Sequence, residues 1–246
     1  AIGPLGIRIE PLGPTSREEA QEFYKRQVDG LVEGGVDGFV LETFSDLNEM
    51  EQAFKAVRSR SPLPVICQVT VGDDACTSYG TSPEDVATEV ASWGASVIGL
   101  NCSVGPAVML EAVERMAEVT DLPLSAQPNA GLPRAVGDRK IYLASPKYMA
   151  QYARRMIEAG ARFVGGCCGT SPEHIRSIRA LVGGVRPPST RARPGSHAES
   201  HDTPIQPEVP LGERSVWGRQ IAEGTFVTSV EVTPPKGWNA EILLGQ

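Results

Sequence analysis

The sequence predicts an α/β fold of the (β/α)8 barrel type, in which parallel strands are connected by helices. Two observations predict it. Apolar runs of strand length alternate with amphipathic helical patterns as far as about residue 183. Unusual polar residues and cysteines also follow directly after several of the predicted strands. Alternating strands and helices with short turns imply a parallel sheet with right-handed crossovers, and barrels carry their active sites beyond the carboxyl ends of the strands.

The predicted strands are short apolar runs, which is typical of strands buried on both faces of a parallel sheet. They cover residues 37–43, 64–71, 95–101, 122–127 and 161–166, with a first strand near residues 2–7. About six strand–helix units are therefore present, whereas a closed barrel contains eight units and typically about 250 residues. A doubly wound open sheet fits the same count. The unusual residues at several strand ends favour the barrel, where those ends converge on one mouth.

The helices between these strands are indicated by apolar residues at helical spacing and by their starts. Two apolar stripes of this kind are Met109, Ala112, Val113, Met116 and Ala117, then Met149, Tyr152, Ala153, Met156 and Ile157. Ser82, Ser145 and Ser171 each precede a proline, a pattern typical of a capped helix start. The segment GTSPE occurs twice, at 80–84 and 169–173, and two similar strand-to-helix turns explain the repeat.

Charge and composition exclude several function classes. The net charge of −7 provides no basic patch for nucleic acid or an anionic membrane surface. No apolar run approaches the roughly 20 residues that a membrane helix needs, and the first residues do not form a signal peptide. The five cysteines have no disulfide-framework spacing, so reduced thiols explain them better. We therefore expect a cytoplasmic protein.

The composition changes after residue 183. Residues 184–214 are rich in proline, serine and charge, which predicts a disordered linker. Residues 215–246 regain a short helical pattern and a strand, which predicts the beginning of a second domain. We interpret residues 1–183 as the first domain.

The adjacent pair Cys167-Cys168, between glycines, is the most unusual feature of the first domain. Buried apolar thiols or neighbouring surface thiols would be the simple explanations. However, Cys102 also follows a predicted strand, and barrel geometry would bring the three sulfurs together. Zn²⁺ prefers such ligands, and a catalytic zinc keeps its fourth position open. We expect Cys67 to be a small core residue, Cys76 to lie in a loop, and His174 to lie on the surface of the following helix.

Four segments carry a resemblance to a known family. They are GFVLETFSDLNE (38–49), GLNCSVGP (99–106), QPNAGLP (127–133) and VGGCCGTSPEHI (164–175). Together they resemble the homocysteine-binding domain of zinc-dependent homocysteine S-methyltransferases, over roughly residues 1–183. The resemblance implies a (β/α)8 barrel whose first two strands are absent here, so that residues 2–6 would form the third strand.

The same resemblance implies the site. Cys102, Cys167 and Cys168 match the zinc ligands, Glu42 matches the carboxylate that holds the homocysteine amino group, and Asn101 and Asn129 line the site. The thiol of homocysteine would take the open position on the metal, lose its proton and attack an activated methyl group, giving methionine. Methyltetrahydrofolate, S-methylmethionine and betaine all suit that thiolate as donors. The alternative is a thiol-rich zinc-binding or redox-sensing protein without methyl chemistry.

The end of the chain carries a second resemblance. The segment GTFVTSVEVTPPKG (224–237) is similar to the first strand of methylenetetrahydrofolate reductases. Glu231 matches the acid of that family, which would use FAD in the complete domain. An ordinary strand followed by a Pro-Pro turn is the alternative. Methyltransferase, linker and reductase is the order found in bifunctional proteins, so the resemblance implies a fused reductase activity in the complete protein.

Overall fold

The computed structural model describes residues 1–137 and 139–185. Elements in chain order are α1 (Arg17–Glu33), β1 (Phe39–Phe44), α2 (Leu47–Arg60), β2 (Val65–Val69), α3 (Pro83–Ser92), β3 (Val97–Asn101), α4 (Pro106–Val119), β4 (Leu124–Gln127), β5 (Arg134–Val136), β6 (Arg139–Ile141), α5 (Pro146–Glu158), β7 (Ala161–Val164) and α6 (Pro172–Val182). No helix in these two ranges is long and apolar enough to cross a membrane. Nearly all of the predicted linker, the predicted second domain and Glu231, with the FAD expectation attached to it, lie outside the described residues.

Five of the strands form one parallel sheet in the order β1-β2-β3-β4-β7. Doubly wound sheets reverse their strand order at a switch point, whereas barrels follow chain order. The connecting helices also pack side by side in chain order, α3 on α4, α4 on α5 and α5 on α6. The α/β prediction is confirmed, and the strand order is that of a barrel rather than of a doubly wound sheet.

The predicted starts of α3 and α5 are confirmed in atomic detail. The Ser82 hydroxyl accepts a hydrogen bond from the Asp85 N–H at 3.1 Å, and Ser145 does the same for Tyr148 at 3.2 Å. Each bond satisfies one of the free N–H groups at a helix start, and the following proline has no N–H to satisfy.

The sheet has two sides of different chemistry. On the helix-facing side the strands bury apolar residues that pack with the helices in one core, namely Phe39, Leu41, Cys67, Val69, Ile98, Leu100, Leu124 and Ala126. The opposite side, here called the inner side, carries Glu42, Gln68, Asn101 and Ser125. Side chains alternate between the two sides because successive residues of a strand point in opposite directions. Cys67 is a core residue, as predicted, and burial raises the pKa of its thiol to about 12.

The strands differ from the prediction in two places. The strand predicted near residues 2–7 is reduced to one parallel bridge between Ile2 and Leu41. Pro4 has no N–H to donate, and the N–H of Leu5 donates to the buried Glu49 carboxylate at 2.7 Å instead of to a neighbouring strand. The antiparallel hairpin of β5 and β6 was not predicted, although the intervening Gly137-Asp138 is a hairpin signal in the sequence.

Candidate metal and substrate site

Cys102 lies immediately beyond the end of β3, in a sharply turned backbone. Cys102 and Ser103 both adopt left-handed conformations, with φ of 61° and 58°. Such angles are uncommon for residues other than glycine and persist where surrounding contacts impose them. One such contact is the Cys102 N–H, which donates to the Gln127 carbonyl at the end of β4 over 3.1 Å. The turn therefore places the cysteine against the neighbouring strand end.

Cys167 and Cys168 lie beyond β7, on the other side of β4. The Cys167 N–H donates to the Pro128 carbonyl at 2.8 Å, and the Cys168 carbonyl accepts from the Ala130 N–H at 2.9 Å. The Asn129 side-chain oxygen accepts from the Cys168 N–H at 3.0 Å. The loop after β4 thus contacts both cysteine segments and sets the distance between them.

The three thiol sulfurs converge. All three Sγ atoms lie within 4.8 Å of one another, and those of Cys102 and Cys168 are 3.7 Å apart. Tetrahedral Zn–S bonds of about 2.3 Å separate two sulfurs by about 3.8 Å, so the donor type and spacing fit a zinc ion. Burial, followed by the interactions with Cys102 and Cys168, raises the pKa of the Cys167 thiol to about 12. A bound cation would reverse that effect, because it favours thiolates.

Glu42 on β1 and Asn101 at the end of β3 are in contact, although β2 lies between their strands. The Asn101 side-chain oxygen accepts from the Thr43 N–H at 2.8 Å, and its amide group donates to the Thr43 hydroxyl at 2.9 Å. The same amide nitrogen lies 3.5 Å from a Glu42 carboxylate oxygen. Thr43 has a φ of 67°, which is exceptional for a β-branched residue. Asn101 therefore holds a strained strand end and orients Glu42, whose side chain is half-buried.

The structure thus brings the predicted site residues of the first domain to one edge of the sheet, in different environments. Asn101 and Asn129 are buried, and both form hydrogen bonds with neighbouring protein groups. Glu42 and the three cysteines retain solvent exposure. A substrate can therefore contact Glu42 and the cysteines more directly, whereas the two asparagines hold the site together.

The sequence interpretation of His174 was wrong. We expected a surface residue, but the side chain is buried, and its Nε2–H donates to the Ala144 carbonyl at 2.9 Å. It faces inward because it occupies the third position of α6, where its Nδ1 can accept from the Ser171 N–H at 3.1 Å. A capping residue three positions after serine was the signal available in the sequence.

Tyr142 also contacts the site and carried no signal in the sequence. A Cβ placed on Gly169 would overlap the Tyr142 ring, and Gly169 has a φ of 77°. Both facts require glycine there. Partial burial, with a further contribution from a hydrogen bond to Cys168, raises the pKa of the Tyr142 hydroxyl. Tyr142 was missed because it follows the hairpin that was not predicted.

Comparison with known families shows to which family this chain belongs. Residues 1–182 match the sequence model described as homocysteine S-methyltransferase. The chain belongs to the homocysteine S-methyltransferase family. The cysteine cluster described above lies within the matched residues, as do Glu42 and both asparagines.

Curated relatives of this family member include two methionine synthases. That of Mycobacterium tuberculosis is 33% identical over 194 residues, which is 76% of this chain and 16% of the relative. That of Mycobacterium leprae is 33% identical over 188 residues, covering 74% of this chain and again 16% of the relative. The chain therefore spans about a sixth of the length of the methionine synthases that it matches.

Solved structures similar to this chain include the homocysteine methyltransferase MmuM of Escherichia coli. Its apo form is similar with a TM-score of 0.59 and 26% identity, covering 73% of this chain and 60% of MmuM. A metallated form of MmuM is similar with a TM-score of 0.57 and 26% identity, covering 68% and 52% of the two chains. The parallel sheet described above thus resembles the MmuM fold.

Proposed function

We propose that this site transfers a methyl group to the thiolate of homocysteine, giving methionine, with a zinc ion bound by Cys102, Cys167 and Cys168. The observation that carries the proposal is the convergence of three thiol sulfurs within 4.8 Å at the strand ends of a family member. Homocysteine and a small methyl donor are then the substrates.

The three cysteines are suited to a metal with catalytic rather than purely structural coordination. They supply three ligands, and a structural zinc takes four protein ligands. When bound, zinc supplies the positive charge that deprotonates a coordinating thiol near neutral pH. The exposed Cys168 places the cluster within reach of a substrate from solvent.

Glu42 is the group of this chain that we assign to the substrate ammonium. Its carboxylate is half-buried at the carboxyl end of β1 and is oriented by Asn101, the residue before Cys102. A charged hydrogen bond to an ammonium group contributes about 1.5–3 kcal/mol. Glu42 would fix the amino end of the substrate while the sulfur end meets the cysteine cluster.

The transfer itself is a displacement at carbon. The thiol proton of homocysteine passes to solvent, and the sulfur then forms a bond to the methyl carbon. The bond between that carbon and the donor breaks, and its electron pair leaves with the donor. S-methylmethionine and betaine then leave as an uncharged thioether and an uncharged amine, whereas methyltetrahydrofolate must also take up a proton from solvent on the nitrogen that leaves, so the donor has to be assigned by assay.

The alternative function is a thiol-rich zinc-binding or redox-sensing protein without methyl chemistry. Such a protein needs the three cysteines but has no use for a carboxylate oriented by Asn101 beside them. The family match and the Glu42 contact both favour the methyltransferase.

The test replaces zinc with Co²⁺ in the full-length protein and follows the visible absorption spectrum. We expect homocysteine to change the spectrum, because its sulfur binds beside the three thiolates, and homoserine, which has a hydroxyl in place of the thiol, to have no such effect. Turnover with each of the three donors then identifies the donor. A cobalt spectrum that homocysteine leaves unchanged would contradict the proposal and favour the alternative.

We also propose, from the resemblance of residues 224–237 alone, a fused methylenetetrahydrofolate reductase activity that uses FAD in the complete protein. Glu231 would protonate the folate nitrogen as the methylene bridge opens. The full-length Glu231→Gln variant should keep methyl transfer and lose folate reduction. Loss of both activities, or of neither, would contradict this assignment.

A further inference from the structure

His174 uses both ring nitrogens in contacts between separate parts of the chain. Its Nδ1 accepts from the Ser171 N–H at 3.1 Å, so the proton of the neutral ring is on Nε2. That Nε2–H donates to the Ala144 carbonyl at 2.9 Å, 30 positions away in sequence. The side chain is 8% exposed. It therefore joins the start of α6 to the segment after β6.

The repeated segment GTSPE provides an internal comparison for this histidine. After the first copy the next residue is Asp85, and after the second copy it is His174. Asp85 caps α3 through Ser82, whose hydroxyl donates to its carboxylate at 2.7 Å, and this pair is exposed. His174 performs the equivalent local cap but also reaches Ala144. Helix capping alone therefore accounts for the contact with Ser171 and leaves the contact with Ala144 unexplained.

The contact with Ala144 leads directly to the cysteine cluster. The Ala144 N–H donates to the Ala130 carbonyl at 2.9 Å, and the Ala130 N–H donates to the Cys168 carbonyl at 2.9 Å. Two residues before Ala144, the Tyr142 ring lies against Gly169. The segment that His174 holds is thus in contact with the cysteine turn on one side and with the loop after β4 on the other.

We propose that His174 is a positioning residue for the three-cysteine site, acting through Ala144 to hold the loop after β4 and Tyr142 against the Cys167–Cys168 turn. This inference rests on the proposed function for its role in methyl transfer. It does not require the histidine to touch the metal or the substrate, because both of its ring nitrogens are already engaged within the protein.

The experiment compares His174→Asn and His174→Gln in the full-length protein. The shorter Asn amide can accept from the Ser171 N–H but cannot reach Ala144, whereas the longer Gln amide can donate to the Ala144 carbonyl. We expect zinc affinity to fall about tenfold in the Asn variant, as for other residues that orient metal ligands, and to recover in the Gln variant. The cobalt absorption spectrum should change in parallel. Asp85→Ala is the matched control, since it removes the equivalent cap of α3.

A second readout requires no metal. In metal-free protein, the exposed Cys168 should react faster with a thiol reagent in the Asn variant than in the parent, so failure of the zinc proposal leaves this test intact.

Parental zinc affinity and parental thiol reactivity in the Asn variant would overturn the inference. Equal effects of Asp85→Ala, or no recovery with Gln, would also overturn it. If the Asn variant does not fold, the Gln variant decides: parental zinc affinity supports the inference and a tenfold loss overturns it.

Discussion

The two sides of the parallel sheet use the same strands for different purposes. On the helix-facing side, Leu41, Cys67, Ile98 and Leu100 are at most 1% exposed and form the core with the helices. On the inner side, the adjacent residues Glu42, Gln68 and Asn101 carry carboxylate and amide groups. Leu41 and Glu42 are consecutive, as are Leu100 and Asn101, so one residue of register separates core packing from the candidate site.

Polar groups on the inner side form hydrogen bonds with one another. The Gln68 amide on β2 donates to the Ser125 hydroxyl on β4 at 2.8 Å, across the intervening strand. Gly99 lies between them in register, and a side chain there would overlap the Ser125 backbone. The inner side thus combines hydrogen-bonded polar groups with the apolar residues Val40, Ile66 and Val97, and we expect substitutions on the two sides to differ in kind as well as in size.

Cys102, beyond the end of β3, and Cys67, on the helix-facing side, should give the largest contrast. Cys102→Ala removes a proposed metal ligand, so we expect turnover to be abolished and zinc affinity to fall by at least about a hundredfold. Cys67→Ala should cost about 1–2 kcal/mol of unfolding free energy and leave zinc stoichiometry unchanged. Metal analysis and denaturant unfolding of both variants measure the contrast. Zinc loss in Cys67→Ala, or full turnover in Cys102→Ala, would mean that the ligands are wrongly chosen.

The consecutive residues Leu41 and Glu42 of β1 should affect stability and substrate binding, respectively. Leu41→Ala leaves a cavity in the core and should lower the unfolding free energy by about 2–5 kcal/mol. Glu42→Gln should change stability little but raise the KM for homocysteine about ten- to a hundredfold, the equivalent of a lost charged hydrogen bond. Urea unfolding and steady-state kinetics separate the two effects. If Glu42→Gln left KM at the parental value, Glu42 would not hold the ammonium group.

Ser125 on β4 and Asn129 in the loop after it should differ in their effects on zinc affinity. Asn129→Ala removes the acceptor for the Cys168 N–H, so we expect zinc affinity to fall about tenfold. Ser125→Ala removes the partner of Gln68, and its effect should be confined to about 1 kcal/mol of stability. Competition with a chelator measures zinc affinity in both variants. Equal zinc affinities would show that Asn129 does not position the cysteine turn.

The last expected effect is a pH dependence on the helix-facing side. Because burial raises the pKa of Cys67 to about 12, its thiol stays protonated in the folded state while the unfolded state loses its proton near the ordinary thiol value. The contribution of Cys67 to stability is therefore complete below about pH 8.5 and falls as pH rises from there towards 12. The slope of unfolding free energy against pH should be shallower in Cys67→Ala over that range. Identical slopes would contradict this burial effect.

Much of this protein is determined locally by its sequence. Alternating apolar strands and capped helices predicted the α/β fold, because strand length, helical spacing and Ser-Pro starts depend on neighbouring residues alone. The three cysteines were found from residue type and from their place after strands. The hairpin of β5 and β6 was missed although Gly137-Asp138 signals a turn, because its strands are too short for an apolar pattern.

The tertiary structure decided what depends on distant residues. The strand order follows a barrel rather than a doubly wound sheet, a choice that the residues after the strands favoured but that only the pairing of distant strands shows. The strand expected near residues 2–7 was lost because the Leu5 N–H found the Glu49 carboxylate, 44 positions away. His174 is buried because the Ala144 carbonyl lies within its reach, and Tyr142 meets the cysteine turn because Gly169 leaves room for its ring. Sequence determines which groups a residue can offer, and folding determines which partners it meets.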